Sequence, residues 1–180
     1  GSGDWAAVGS STEDGDAVSD GGVKDGTGDR VVAKEDGMTI RFDEDEVREM
    51  GRSARGVRAI DLQDGDRVAG LVATDDTDER ALLTVTRNGY GKRTPLVEYR
   101  PQSRYGKGLV DIDTGERNGR VATVKAVAAS DDLAVMSEKG QIMRSPVDEI
   151  STQGRNTMGV RVMRLEADDR VASVTVVPGE

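Results

Sequence analysis

Short runs in which β-branched and other apolar residues alternate with polar ones fill most of the chain, and turn residues close them. Ala81-Leu82-Leu83-Thr84-Val85-Thr86 is followed by Asn88-Gly89 and then by Tyr90 to Pro95, the pattern of a β-hairpin. Asp36-Gly37 and Lys139-Gly140 mark two further hairpins. A third alternating run occupies Val57 to Leu62, Leu109 to Asp113 and Val160 to Leu165, and a fourth follows the pairs Arg67-Val68, Arg120-Val121 and Arg170-Val171. The pattern predicts four-stranded antiparallel units. A helical repeat would need apolar spacing near 3.6 over ten or more residues, and only Glu44 to Met50 supplies even two turns.

These units are copies of one another. Gly37 and Gly56, Gly89 and Gly108, and Gly140 and Gly159 each stand nineteen residues apart, and the copies recur every 51 or 52 residues. An arginine follows the first glycine by four residues (Arg41, Arg93, Arg144) and a glutamate follows it by nine (Glu46, Glu98, Glu149). Such periods indicate propeller blades or arrays. The expected boundaries are 31–78, 79–130 and 131–180. Residues 1–12 read as the remnant of a preceding blade, because Asp4, Ala6-Ala7-Val8 and Thr12-Glu13-Asp14 resemble Asp66, Val68-Ala69 and Thr74-Asp75-Asp76 at one offset of 62. Residues 13–30, built mostly of Gly, Ser, Thr and Asp, are too poor in apolar groups to offset their ordering entropy and are expected to form a disordered acidic loop. A calcium loop there would need ligands at fixed spacing and a closing bidentate glutamate, which the stretch lacks.

Aromatic content is only 3%, so the core is expected to be Val, Ile, Leu and Ala. The absence of Cys and His excludes disulfides, thiol chemistry, imidazole catalysis and nearly all transition-metal sites. No secretory or membrane-length apolar run occurs, and the expected setting is cytoplasmic.

The net charge of −9 is unevenly spread. Residues 1–30 carry seven acidic and two basic groups and residues 31–78 carry thirteen and seven, whereas residues 79–127 carry five and ten. The middle copy is therefore a basic region between acidic neighbours. Aspartate outnumbers glutamate 22 to 12 and arginine outnumbers lysine 19 to 6, a surface expected of a protein working in concentrated salt, where the Debye length falls to about 3 Å near 1 M.

Four stretches carry a resemblance to a known family: Thr86-Arg87-Asn88-Gly89-Tyr90-Gly91-Lys92-Arg93-Thr94, Gly56-Val57-Arg58-Ala59-Ile60, Glu116-Arg117-Asn118-Gly119 and Glu149-Ile150-Ser151-Thr152-Gln153-Gly154-Arg155-Asn156-Thr157. Together they resemble the carboxy-terminal domain of DNA gyrase A subunits, over roughly residues 30 to 177. The resemblance implies an all-β fold, a β-pinwheel whose four-stranded blades exchange strands, with duplex DNA wrapped around a basic rim. Three copies and a remnant would be the last half of a six-bladed disc. It further implies membership of a type IIA topoisomerase, a heterotetramer completed by the B subunit with the rest of the A subunit. Strand cleavage, ATP and magnesium would then belong to other domains, with no cofactor in this chain. The family's Gln-Arg-Arg-Gly-Gly-Lys-Gly box has a degenerate counterpart in Gln102-Ser103-Arg104-Tyr105-Gly106-Lys107-Gly108, matching at five of seven positions. In it Gly106 and Gly108 would admit a phosphate to the backbone, and Arg104 and Lys107 would neutralise it.

Candidate DNA contacts are Arg41, Arg52, Arg55, Lys92, Arg93, Arg100, Arg104, Lys107, Arg144 and Arg155. Arg41, Arg93 and Arg144 would recur at regular angular steps along one rim, as a bent duplex requires. The competing reading pairs these three with Glu46, Glu98 and Glu149. Trp5 is expected to pack, Tyr90, Tyr99 and Tyr105 either to flank DNA or to lie exposed on strands, and Asp131-Asp132 and Asp168-Asp169 to sit in solvated turns. From a different functional class, a protein-interaction propeller without DNA wrapping fits the overall negative charge.

Overall fold

The computed structural model describes residues 4–8, 28–43, 57–62, 66–101 and 108–179. The strands are β1 (Asp4–Val8), β2 (Asp29–Lys34), β3 (Met38–Asp43), β4 (Val57–Leu62), β5 (Val68–Thr74), β6 (Ala81–Thr86), β7 (Tyr90–Pro95), β8 (Leu109–Val110), β9 (Val121–Val127), β10 (Asp132–Ser137), β11 (Ile142–Pro146), β12 (Val160–Arg161) and β13 (Val171–Val177). The only helices among the described residues are single 3-10 turns at Leu96–Glu98 and Val147–Glu149. Glu44 to Met50, residues 9–12 of the remnant and residues 13–27 of the acidic loop lie outside the described residues. Asp29 and Arg30, assigned to that loop from composition, belong instead to β2.

Each copy forms a hairpin, β2-β3, β6-β7 or β10-β11, whose turn donates the glycine N–H back to the carbonyl of the residue three before it (Gly37 to Lys34 at 3.1 Å, Gly89 to Thr86 at 3.1 Å, Gly140 to Ser137 at 3.0 Å). All three glycines have positive φ, at 101°, 89° and 92°, the geometry of a type I turn closed by a left-handed residue. The fourth strand of each copy returns to the first. β5, β9 and β13 pair with β2, β6 and β10, and each ladder shifts register at one equivalent place: Ala33/Lys34, Val85/Thr86 and Met136/Ser137. The repeated Arg-Val pairs begin these strands. The Arg67, Arg120 and Arg170 carbonyls accept the N–H of Glu35, Arg87 and Glu138, each at 2.8 Å, and so fix the return strand to the hairpin turn.

The third strand does not stay with its own copy. β8 pairs with β3 and β12 with β7, so the sheets run β5-β2-β3-β8 and β12-β7-β6-β9. Four-stranded antiparallel sheets are thus present as expected, but each takes three strands from one copy and the outermost from the next, as strand exchange implies. The last sheet, β11-β10-β13, has three strands. β1 pairs with β4 in a two-stranded sheet of its own and does not extend the sheet of the first hairpin. β4 thereby joins an upstream strand, as β8 and β12 do.

Apolar burial also crosses copies. One cluster joins Val31, Ala33 and Val72 to Leu82, Leu96, Tyr99, Ile112 and Val124. A second joins Leu83, Val85 and Val127 to Leu133, Val135, Val147, Ile150 and Val174. Neighbouring residues Leu82 and Leu83 thus point to opposite faces of β6, one toward each adjoining blade, as the period of two demands. The return strands line the inner side of the stack, where β5 packs on β9 and β9 on β13. β8 and β12 form the opposite, outer edge of their sheets.

Candidate nucleic-acid interface

The recurring arginine is built into the blade junctions. Arg41 is 5% exposed; its Nε donates to Asp29 Oδ2 at 2.7 Å and its Nη1 to the carbonyls of Leu96 and Tyr99 at 3.1 and 3.4 Å. These carbonyls belong to the first residue and the C-cap of the 3-10 turn of the next copy. Arg93 repeats the arrangement one blade on, donating from Nε to Ile150 O at 2.8 Å and from Nη2 to Asp148 O at 3.3 Å. Arg144 pairs with Asp132 at 3.1 Å with 64% of its side chain exposed. The regular rim of phosphate-binding arginines expected from spacing is therefore corrected at the buried Arg41, and at Arg93, which stays partly exposed, two donors close carbonyls between blades. The competing pairing with glutamates is corrected at Arg93 and Arg144, neither of which lies within 4.0 Å of a glutamate among the described residues. Asp29 and Asp132, each twelve residues before its arginine, are the partners used, and Glu46 lies outside the described residues.

Lys92 is fully enclosed. Its ammonium donates to Asp111 O at 2.6 Å, Gly154 O at 2.7 Å and Thr94 Oγ1 at 3.0 Å, and it lies 3.3 Å from Asp111 Oδ1. Burial pulls its pKa below the ordinary lysine value, against the attraction of Asp111. The same carboxylate accepts from Thr84 Oγ1 at 2.6 Å and from the Tyr99 hydroxyl. The Tyr99 phenol is driven well above its usual range by burial and then by the Asp111 charge. Lys92 is thus corrected from a surface cation to the centre of a network spanning the second copy and Gly154 of the third. The sequence carried a signal for this burial, since Ile40, itself buried, and Met143 occupy the same place in the other copies.

Tyr90 and Tyr99 are buried, not exposed on their strands. Asp169 is also buried, accepting from the N–H groups of Lys139 and Arg170 at 3.0 and 2.9 Å, which replaces the solvated-turn reading. Gly108 has a φ of +88°, and a Cβ there would stand 2.3 Å from Thr39 O. Its close approach is to β3 of the first blade and not to a phosphate.

Arg100 is exposed, and Arg155 is half-buried with its Nε enclosed and without a hydrogen-bond partner. Arg52, Arg55, Gln102, Arg104, Gly106 and Lys107 lie outside the described residues. Two cations absent from the sequence-derived set stand on the outer side of the middle blade: Arg117, in the loop after β8, and Arg161, in β12. A signal for the second was present in the sequence, since the triplet Gly56-Val57-Arg58 recurs as Gly159-Val160-Arg161. Among the described residues, no group of His, Cys, Asp or Glu is placed to hold a metal ion and no helix is long and apolar enough to cross a membrane.

Comparison with known proteins bears on what this architecture carries. The family model described as the DNA gyrase C-terminal domain, beta-propeller, matches residues 35–75, 80–128 and 131–178, one segment per copy. The chain is 58% identical over 156 residues to the DNA gyrase A subunit of Haloquadratum walsbyi, covering 87% of this chain and 18% of that protein. It is 41% identical over 155 residues to the DNA gyrase A subunit of Staphylococcus epidermidis, covering 86% of this chain and 17% of the relative. The chain thus spans less than a fifth of these relatives. Its fold matches the solved DNA gyrase A C-terminal domain with a TM-score of 0.76 at 24% identity, over 87% of this chain and 52% of that one. It matches the C-terminal domain of DNA topoisomerase IV with a TM-score of 0.77 at 26% identity, over 86% of this chain and 48% of that one.

Proposed function

The chain belongs to the DNA gyrase A C-terminal domain family, and we propose that it binds duplex DNA without sequence preference along the outer edge of its blades. The observation that carries this reading is the family match in every one of the three copies. In this reading the chain is the wrapping part of a longer A subunit of a type IIA topoisomerase. It works beside the B subunit in a cytoplasmic heterotetramer, where the wrap supports ATP-dependent negative supercoiling. ATP, magnesium and strand cleavage are assigned to the other domains of that assembly. The domain boundaries follow the repeat, at 29–78, 79–130 and 131–180, with each third strand handed to the preceding blade.

The contact set follows from which cations the fold leaves available. Arg41 and Lys92 are withdrawn, and Arg93 serves chiefly to position the next blade. Arg100, Arg144 and Arg155, with Arg52, Arg55, Arg104 and Lys107, remain as candidates. Bending a duplex costs several kcal/mol, so many such contacts must act together. The acidic, lysine-poor surface fits operation in concentrated salt, where screening lets like charges sit close at little cost.

Titrating a fluorescent 40-base-pair duplex with the full chain over a salt series tests the reading. Binding should be equal for unrelated sequences, and log affinity should fall linearly with log salt over the upper part of the series, by about 0.9 per phosphate contacted. Salt-tolerant binding to a protein partner with no duplex affinity would instead establish the interaction-module alternative.

A further inference from the structure

Arg117 and Arg161 converge on one atom. Arg117 Nε donates to the Tyr90 hydroxyl oxygen at 3.2 Å and Arg161 Nη2 donates to the same oxygen at 2.9 Å. Their guanidinium carbons lie 5.6 and 5.4 Å from the ring centroid. Tyr90 is 5% exposed, whereas both arginines are exposed. Tyr90 is therefore a fixed post against which two surface cations are held.

The charge of this pair is not cancelled. Arg41, Arg80, Arg87, Arg120 and Arg144 each lie within 4.0 Å of a carboxylate. Among the described residues neither Arg117 nor Arg161 has such a partner, and their shared acceptor is a neutral phenol. The two hydrogen bonds hold the Tyr90 hydroxyl below the ordinary phenol range, as expected where positive potential is unopposed. A guanidinium has five N–H donors, so one bond to Tyr90 leaves most of each fork available to an outside acceptor.

Packing does not demand the arrangement. Tyr90 and Arg161 face each other across the β7-β12 ladder, and the same register position in the first blade holds Met38 and Val110. The fold closes that position with an apolar pair; the middle blade gives it to a phenol and a cation. The site also sits on β12, the outermost strand of its sheet and the one farthest from the inner return strands.

We propose that Arg117 and Arg161, braced on Tyr90, form a clamp for a backbone phosphate of duplex DNA at the outer edge of the middle blade. The clamp rests on the DNA-binding reading above and gives it a defined contact. Two guanidinium forks suit the oxygens of a phosphodiester, and contacts of this kind position the duplex without reading its bases.

The test uses the full chain and the 40-base-pair duplex. R117Q/R161Q should weaken binding about tenfold at low salt, alike for two unrelated sequences, and should make the log-log salt slope shallower by about 0.9, the one phosphate released. R87Q, whose cation already faces Glu35, should bind as the unmodified chain does. If the double variant fails to fold, R117Q alone decides, because its side chain projects from a surface loop; affinity should fall about threefold, alike for both sequences, with a smaller change of slope than in the double variant. Unchanged affinity and slope in the folded variants overturn the clamp while leaving the wrapping reading standing. Absence of duplex binding by the unmodified chain overturns both.

Discussion

Arg41 reaches across 55 residues of sequence to donate a hydrogen bond to the carbonyl of Leu96 at 3.1 Å, and in doing so it ties the first blade to the 3-10 turn of the second. Arg93 repeats the contact of Arg41 with Tyr99 one blade on, donating to the carbonyl of Ile150 at 2.8 Å. The arginine four residues after the turn glycine is thus, in the first two copies, the joint to the next copy.

Arg41 and Arg144 should accordingly differ in their worth to the fold. Arg41→Ala strands the buried Asp29 carboxylate and two carbonyls and should cost about 3 kcal/mol or more. Arg144→Ala removes a largely exposed pair and should cost under about 1 kcal/mol. Urea unfolding of the two variants gives both numbers, and equal costs would refute the assignment of Arg41 to the joint.

Lys92→Met should destabilise by about 3 to 5 kcal/mol, because the Asp111 carboxylate would stay buried without its cation. Adding Asp111→Asn ought to recover part of that loss, and a double-mutant cycle would measure the coupling. A Lys92→Met protein of unaltered stability that binds DNA poorly would return this lysine to the surface.

The turn glycines offer a contrast between a covered and an uncovered blade. Alanine at position 89 or 140 meets the strain of a positive φ, about 1 to 2 kcal/mol. Only at 89 would the new Cβ also lie 2.3 Å from Met163 O, whereas at 140 nothing stands within 4 Å. Gly89→Ala should therefore exceed Gly140→Ala by about 2 kcal/mol in thermal or urea unfolding; similar losses would mean that the third strand of the next copy does not press on the turn.

Acidic residues upstream of β2 should limit DNA binding at low ionic strength. Asp29 anchors Arg41 and is therefore left in place. Replacing Glu13, Asp14, Asp16, Asp20 and Asp25 with their amides removes five negative charges without touching that anchor. The unmodified chain is expected to show maximal duplex affinity at intermediate salt, where self-repulsion is screened and phosphate contacts persist. The neutralised variant should lose the low-salt dip, as read by anisotropy; a retained dip would make the segment a spacer only.

Sequence alone determined the repeat, the hairpins and their turn positions, because period-two alternation and turn glycines are local properties set by sterics and by the pleat. The family resemblance was legible for the same reason, being carried by short contiguous stretches such as Asn88-Gly89-Tyr90-Gly91. What the tertiary structure decided was ownership. Leu109-Val110 and Val160-Arg161 look like third strands of their own copies, yet they pair with the copies before them, since an outer hairpin edge accepts any strand of matching register. The fates of the cations were decided in the same way. Arg41 and Lys92 are no less polar than Arg117 or Arg161, but residues from a neighbouring blade enclose the first two, and only the assembled stack determines which charges remain facing water.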